Sequence, residues 1–96
     1  MSQALIDLKR FLALSEAMSI AAEEQEWEDL VSIGEDRGQL VQRLPADFAL
    51  ELPLAEQASA RMILERCRKL DEQTCSLVGE RQKALRVLLR ELPLVN

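Results

Sequence analysis

The side chains able to do chemistry in this chain are acids, bases, two thiols and a few hydroxyls, because its 96 residues include no His and no Tyr. A pair of carboxylates could divide general acid and general base work between them. Five acids do crowd together, Glu23, Glu24, Glu26, Glu28 and Asp29, but they stand in a polar run and read as solvated. A serine nucleophile needs a neighbouring base, and nothing of that kind accompanies Ser15, Ser19, Ser32, Ser59 or Ser76. Cys67 and Cys75 are eight residues apart, about 12 Å along a helix. A disulfide needs Cα atoms within about 7 Å, so both read as reduced, small core residues. With no His and no paired Cys at metal spacing, a zinc site is not expected either. No Gly-rich phosphate loop is present. The expectation is a protein with no catalytic residue, no cofactor and no metal.

One small helical enzyme class has a similar length, the AroQ-type chorismate mutases, which hold a dicarboxylate with arginines and a lysine. Here the first helix offers only Lys9 and Arg10, both near its start, and the acidic middle would repel a dianion. That reading ranks behind a binding protein.

The elements that would position any site follow from composition. Leu, Ala, Glu, Gln and Arg dominate, and all five favour helix. Three Gly and three Pro leave little material for the turns of a sandwich or barrel. The expectation is one all-α domain over residues 1–96, an antiparallel three-helix bundle with a long third helix. No apolar run reaches the roughly 18 residues of a membrane span. The N-terminus lacks the basic-then-apolar layout of a signal peptide, which points to the cytoplasm. A net charge of −5 argues against a nucleic-acid surface. The charge is nevertheless uneven. Residues 16–36 hold eight acids and no base, and residues 61–90 hold eight bases and four acids. Either the two regions face each other within one molecule, or one of them faces a partner.

The first helix is expected over about residues 2–24, on an apolar stripe of Leu5, Leu8, Leu12, Ser15, Met18 and Ala22, with Ser2 able to cap it. Continued past Ala22, that spacing falls on Glu26, Asp29 and Asp36, whereas the next stripe holds Trp27, Leu30, Val31, Gly34, Val41 and Leu44. The phase slips near residue 25. The stretch EQEWEDL, residues 24–30, therefore reads as a corner, with Trp27 in the first turn of a second helix over about 26–44. The acids around it suit the positive end of a helix macrodipole. Trp27 is assigned as the structural anchor of the corner, with an interface hot spot as its other reading. Gly34-Glu-Asp-Arg-Gly38 spells GxxxG, but charges lie between the glycines, so close packing or a soft point is favoured over dimerisation.

Pro45 and Pro53 bracket a connection in which Phe48 and Leu50 or Leu52 tuck against the end of the bundle. The third helix is expected over about 53–92, with a stripe of Ala58, Met62, Ile63, Cys67, Leu70, Thr74, Leu77, Val78, Leu85, Leu88 and Leu92. At about 1.5 Å per residue it is about 60 Å long, against about 35 Å and 28 Å for the other two. Short connections make neighbours antiparallel, so it overshoots the corner by roughly 25 Å. The overshooting part is its most apolar part: Leu77, Val78, Leu85, Leu88, Leu89 and Leu92. An exposed apolar strip of this kind marks an interface. It would be covered by a partner helix, by a second copy, or by its own end folding back at Gly79.

ALSEAMSIAAEEQEWEDLVSIGEDRGQLVQRL resembles the first helical hairpin of the FliT-type flagellar export chaperones, and LDEQTCSLVGERQKALRVLLREL is similar to their third helix. The resemblance rests on the order and lengths of these elements and on the Glu26-Trp27 pair. It implies a cytoplasmic helical chaperone without catalysis that binds the C-terminal region of the flagellar filament-cap protein before export. It further implies contacts with export-apparatus components and, in some lineages, with the activator of flagellar genes. Two departures are visible. Gln25 stands where a glycine often precedes the acid-Trp pair. The sequence also ends after the third helix, where some members carry a fourth that masks the binding surface. The other reading from a different class is a structural homodimerising helical module with no client.

Overall fold

The computed structural model describes residues 1–45 and 47–91. Within them the chain is all-helical: α1 spans Gln3–Glu23, α2 Trp27–Arg43 and α3 Leu54–Glu91, with one 3-10 turn at Phe48–Glu51. Ser2 caps α1 by accepting the Leu5 N–H on its hydroxyl at 3.2 Å. The same serine donates its backbone N–H, at 2.9 Å, and its hydroxyl to the two carboxylate oxygens of Glu56. Those two bonds tie the start of α1 to the start of α3 and hold the Glu56 carboxyl below its ordinary pKa. Pro53 immediately precedes α3, and its carbonyl takes the Glu56 N–H at 2.9 Å. The α1 and α3 helices thus start side by side and run the same way. The other end of α1 agrees, since Ala21 and Ala22 cluster with Leu77 and Val78.

The corner is closed by backbone alone. The Glu26 N–H reaches back to the Ala21 carbonyl at 2.8 Å, and the Gln25 N–H to the Ala22 carbonyl at 3.2 Å. This is the Schellman pattern, which requires a left-handed residue at the position Gln25 occupies. Gln25 has φ of 60°, the one positive value in the described residues. Glycine takes that conformation without a Cβ clash, and glutamine does not. Past the corner, Trp27 opens α2, with Glu28 and Asp29 in its first turn. It then returns along α1: Leu30 meets Ala21 and Ala22, and a Cβ on Gly34 would lie 3.5 Å from Met18.

The helix α1 is the shared element. Both α2 and α3 pack along it, and neither backbone approaches the other. Side chains bridge the gap between them. The Arg37 guanidinium donates to the Ser15 hydroxyl at 3.0 Å and to the Asp71 carboxylate at 2.6 Å, and lies 5.0 Å from the centre of the Phe11 ring. Ser15 is buried and donates a hydrogen bond from its hydroxyl to the Phe11 carbonyl at 2.9 Å. One arginine therefore touches all three helices.

The stripes expected from the sequence need three corrections. On α2 the inward residues are Leu30, Ile33, Arg37 and Leu40, while Val31 and Val41 are exposed. A charged residue fills one step of the seam, so a reading confined to apolar residues slips by one position. On α3 the seam opens with Ala60 and Ile63, and Ala58 and Met62 face out. Cys67 is buried and its thiol pKa is raised by that burial, but Cys75 is exposed and is not a core residue. In the connection, Phe48 and Leu52 pack on Leu5, Leu8 and Ala60, and Leu50 is exposed.

Three outcomes are expected from these contacts. Gln25→Gly relieves the left-handed strain and should stabilise the fold by about 0.5–1 kcal/mol, a rise in melting temperature of about 2–8 °C. A fall would show that the corner does not need a left-handed residue. Arg37→Ala should cost about 1–3 kcal/mol, since it strips charge-assisted bonds from Asp71 and Ser15. Arg37→Lys should recover part of the loss, because both bonds come from one guanidinium nitrogen, but not the contact of the guanidinium with the Phe11 ring. Thermal unfolding by circular dichroism measures all three.

Candidate partner-binding surface

Past Val78, α3 continues from Gly79 to Glu91, 13 residues or about 20 Å. It neither breaks nor folds back at Gly79, where an added Cβ would meet open space. The molecule is accordingly elongated, with a radius of gyration of 17.5 Å where a compact chain of this length has about 12.5 Å.

The residues expected to form the apolar strip divide into two groups. Leu77 and Val78 are half-buried against Ala21, Ala22 and Leu30, and so close the core. Leu85, Leu88 and Leu89 are free, at 46%, 54% and 71% exposure. Leu92 lies outside the described residues. The spacing 77, 78, 81, 85, 88 carries one face of α3 from the core into solvent, so the face that packs on α1 simply outruns α1.

Trp27 stands at the boundary. It is half-buried against the Ala21, Ala22 and Leu30 cluster, and the Arg81 guanidinium lies 4.6 Å from its ring centre. Arg81 thereby occupies the first turn of the overhang that would otherwise be bare, and joins the start of α2 to α3. A groove of about 420 Å³ runs beside this pair, between Ala22 and Gln25 on one side and Leu77 and Ala84 on the other.

Sequence reasoning did not single out the other face of the overhang. Lys83, Arg86, Val87 and Arg90 stand together there, exposed, with Leu89 at their edge. Their spacing of three and four carries the signal, which a count of bases over residues 61–90 does not resolve into a face. The overhang is thus both apolar and basic. Its bases do not meet the acidic stretch of residues 16–36. Among the described residues the ion pairs are Arg37 with Asp71 and Arg68 with Glu65 and Glu72, the latter two exposed and within α3. No group of acids and thiols among the described residues is placed to hold a metal. No described helix is long and apolar enough to cross a membrane.

The family model described as "Flagellar protein FliT" matches residues 5–93, nearly the whole chain. The chain belongs to the FliT family of flagellar proteins. No curated protein and no solved structure matches it. The match covers the Trp27 corner and the overhang alike, so both lie within the FliT-family region.

If Arg81 covers the indole, Arg81→Ala should raise quenching of Trp27 fluorescence by neutral acrylamide and cost about 0.5–1 kcal/mol of stability. Unchanged quenching at unchanged helix content would show that the ring is not covered by this arginine.

Proposed function

We propose that this FliT-family chain is a cytoplasmic export chaperone, a binding protein rather than a catalyst, that holds the C-terminal helical region of the flagellar filament-cap protein before secretion. The client helix lies along the overhang of α3, on Leu85, Leu88 and Leu89, with Leu77 and Val78 as the inner end of the same stripe and Leu92 continuing it in sequence. The observation that carries this reading is the free apolar face of α3, in a chain of flagellar family, beyond the point where α1 can cover it. An amphipathic helix laid in such a groove buries its own i, i+3, i+4 residues against those leucines. Each leucine so buried is worth about 1.5–3 kcal/mol, enough for two or three of them to dominate the affinity. Trp27 and Arg81 flank the inner end of the stripe and fix where the client helix stops. Export-apparatus components are further partners of the same protein.

Leu85→Asp with Leu88→Asp should abolish heat of binding to the C-terminal region of the cap protein in calorimetry, with helix content and melting temperature close to those of the unaltered chain. Unfolding of the double variant would place those leucines in the protein's own core. Undiminished binding would place the interface elsewhere. Failure of the unaltered protein to bind any part of the cap protein would overturn the chaperone reading in favour of a homodimerising module.

A further inference from the structure

We infer that α2 is a detachable strap: it leaves α1 and melts as a unit while the α1–α3 pair stays folded, and two arginines, Arg37 and Arg81, latch it down. The helices are unequally held. On α1 the buried Leu8, Ser15 and Ala22 recur every seven residues, and on α3 the buried Ala60, Cys67 and Thr74 do the same. Leu8 clusters with Ala60, Ser15 lies beside the Cys67 thiol, and Ala22 clusters with Leu77 and Val78. A seven-residue repeat on both sides makes one continuous seam, pinned at its start by Ser2 on Glu56. The α2 helix has no such seam. Its buried residues are Leu30 and Leu40, ten apart, and its backbone does not approach α3.

Two arginines carry α2 across to α3. Arg37 reaches out from α2 to Asp71, and Arg81 reaches back from α3 to cover Trp27. The entry to α2 favours release, since Gln25 holds its left-handed conformation only while the corner is closed. Once off α1, a 17-residue helix containing Gly34 and Gly38 is marginal in water, so undocking and melting go together. The exit need not move. Phe48 and Leu52 stay packed on Leu5, Leu8 and Ala60. The segment between them and α1, residues 25–47, reaches up to about 76 Å when extended. That is more than twice the length of α1, about 31 Å for its 21 residues. Opening bares the side of α1 around Met18 and Ala21, apolar surface that the closed molecule hides. The device holds independently of any client.

Native-state hydrogen exchange tests the strap. Corrected for intrinsic rates, amides from Leu30 to Arg43 should exchange about tenfold or more faster than the seam amides, Ser15 to Ala22 and Cys67 to Leu77. Variants then separate partial from global opening. Ile63 packs with Leu5, Leu8 and Ala60, a cluster with no member from α2. Ile63→Val should quicken seam exchange about two- to tenfold and leave α2 unchanged, because the open form keeps that contact. Arg37→Ala should quicken α2 and the seam alike, about fivefold or more, because its bonds are lost in either opening. Arg81→Ala should act the same way through Trp27, about two- to fivefold. Exchange of α2 no faster than the seam would overturn the inference, as would Ile63→Val quickening α2 as much as the seam. So would unchanged α2 exchange in folded Arg37→Ala, which would remove the latch. The first two measurements keep the latch intact, so they decide the matter even where a latch variant fails to fold.

Discussion

Everything in this structure depends on α1 being the one helix that both others touch. With α2 and α3 apart, the fold would be two helix pairs sharing one member if nothing crossed between them. Arg37 crosses. Its guanidinium reaches Asp71 on α3 and the Ser15 hydroxyl on α1, and its flat face lies against Phe11. A hydroxymethyl side chain at residue 15 leaves room for this, and the buried serine gives the arginine an acceptor where an alanine would give none. The exposed pairs of Arg68 on α3 do not compare, because both partners are wet and lie on one helix. The Arg37 pair is mostly shielded on the arginine side and more open on the aspartate side, so it escapes the full desolvation penalty of a buried ion pair.

The second constraint is the corner. Six backbone positions, from Ala21 to Glu26, fix where α1 stops and in what phase α2 begins. That phase sends Leu30 inward and places Trp27 beside α3. The ends of α1 and α3 are already fixed together by Ser2 and Glu56 at the far end. With the start pinned and the stop set, the length of α3 beyond Val78 is forced into solvent. The overhang is therefore a consequence of two short-range motifs, a serine cap at one end and a left-handed glutamine at the other, acting on helices of unequal length.

Much of this was legible in the sequence. The three helices, the corner at residue 25, the cap at Ser2 and the packing of Phe48 and Leu52 all follow from apolar spacing and from capping and proline chemistry. What escaped was the part that hydrophobic periodicity does not encode. Arg37 sits in the seam of α2 as its central residue, and a pattern built on apolar residues steps around it, which turned Val31 and Val41 inward on paper. Ala60 was passed over for Met62 because the larger side chain gives the stronger signal, although the close approach of α1 and α3 near Leu5 and Leu8 suits the smaller one. Cys75 looked like a core position by residue type, and its exposure follows from lying one step past Thr74 on the helix. The free leucines were legible because length alone reveals them. The basic face of the same stretch was not, since it is defined by which neighbours are missing.

The charge asymmetry acquires its meaning from this geometry. Acids gather on α1 and α2 around the corner, and bases gather on α3, yet the two sets are offset along the molecule. Had α3 ended near Val78, its remaining bases, Arg61 to Lys69, would lie along the first half of α1, away from the acidic corner. Because it continues, the positive charge is carried beyond the acidic corner to stand with exposed leucines. Within one molecule the attraction between the two is left largely unused, since none of the ion pairs among the described residues joins a base of the overhang to an acid of the corner. An attraction that cannot be satisfied inside the chain is available to whatever approaches from outside. What the fold leaves open there is a stretch of helix with leucines on one face and Lys83, Arg86 and Arg90 on another, the two kinds of surface carried out together because α3 outruns α1.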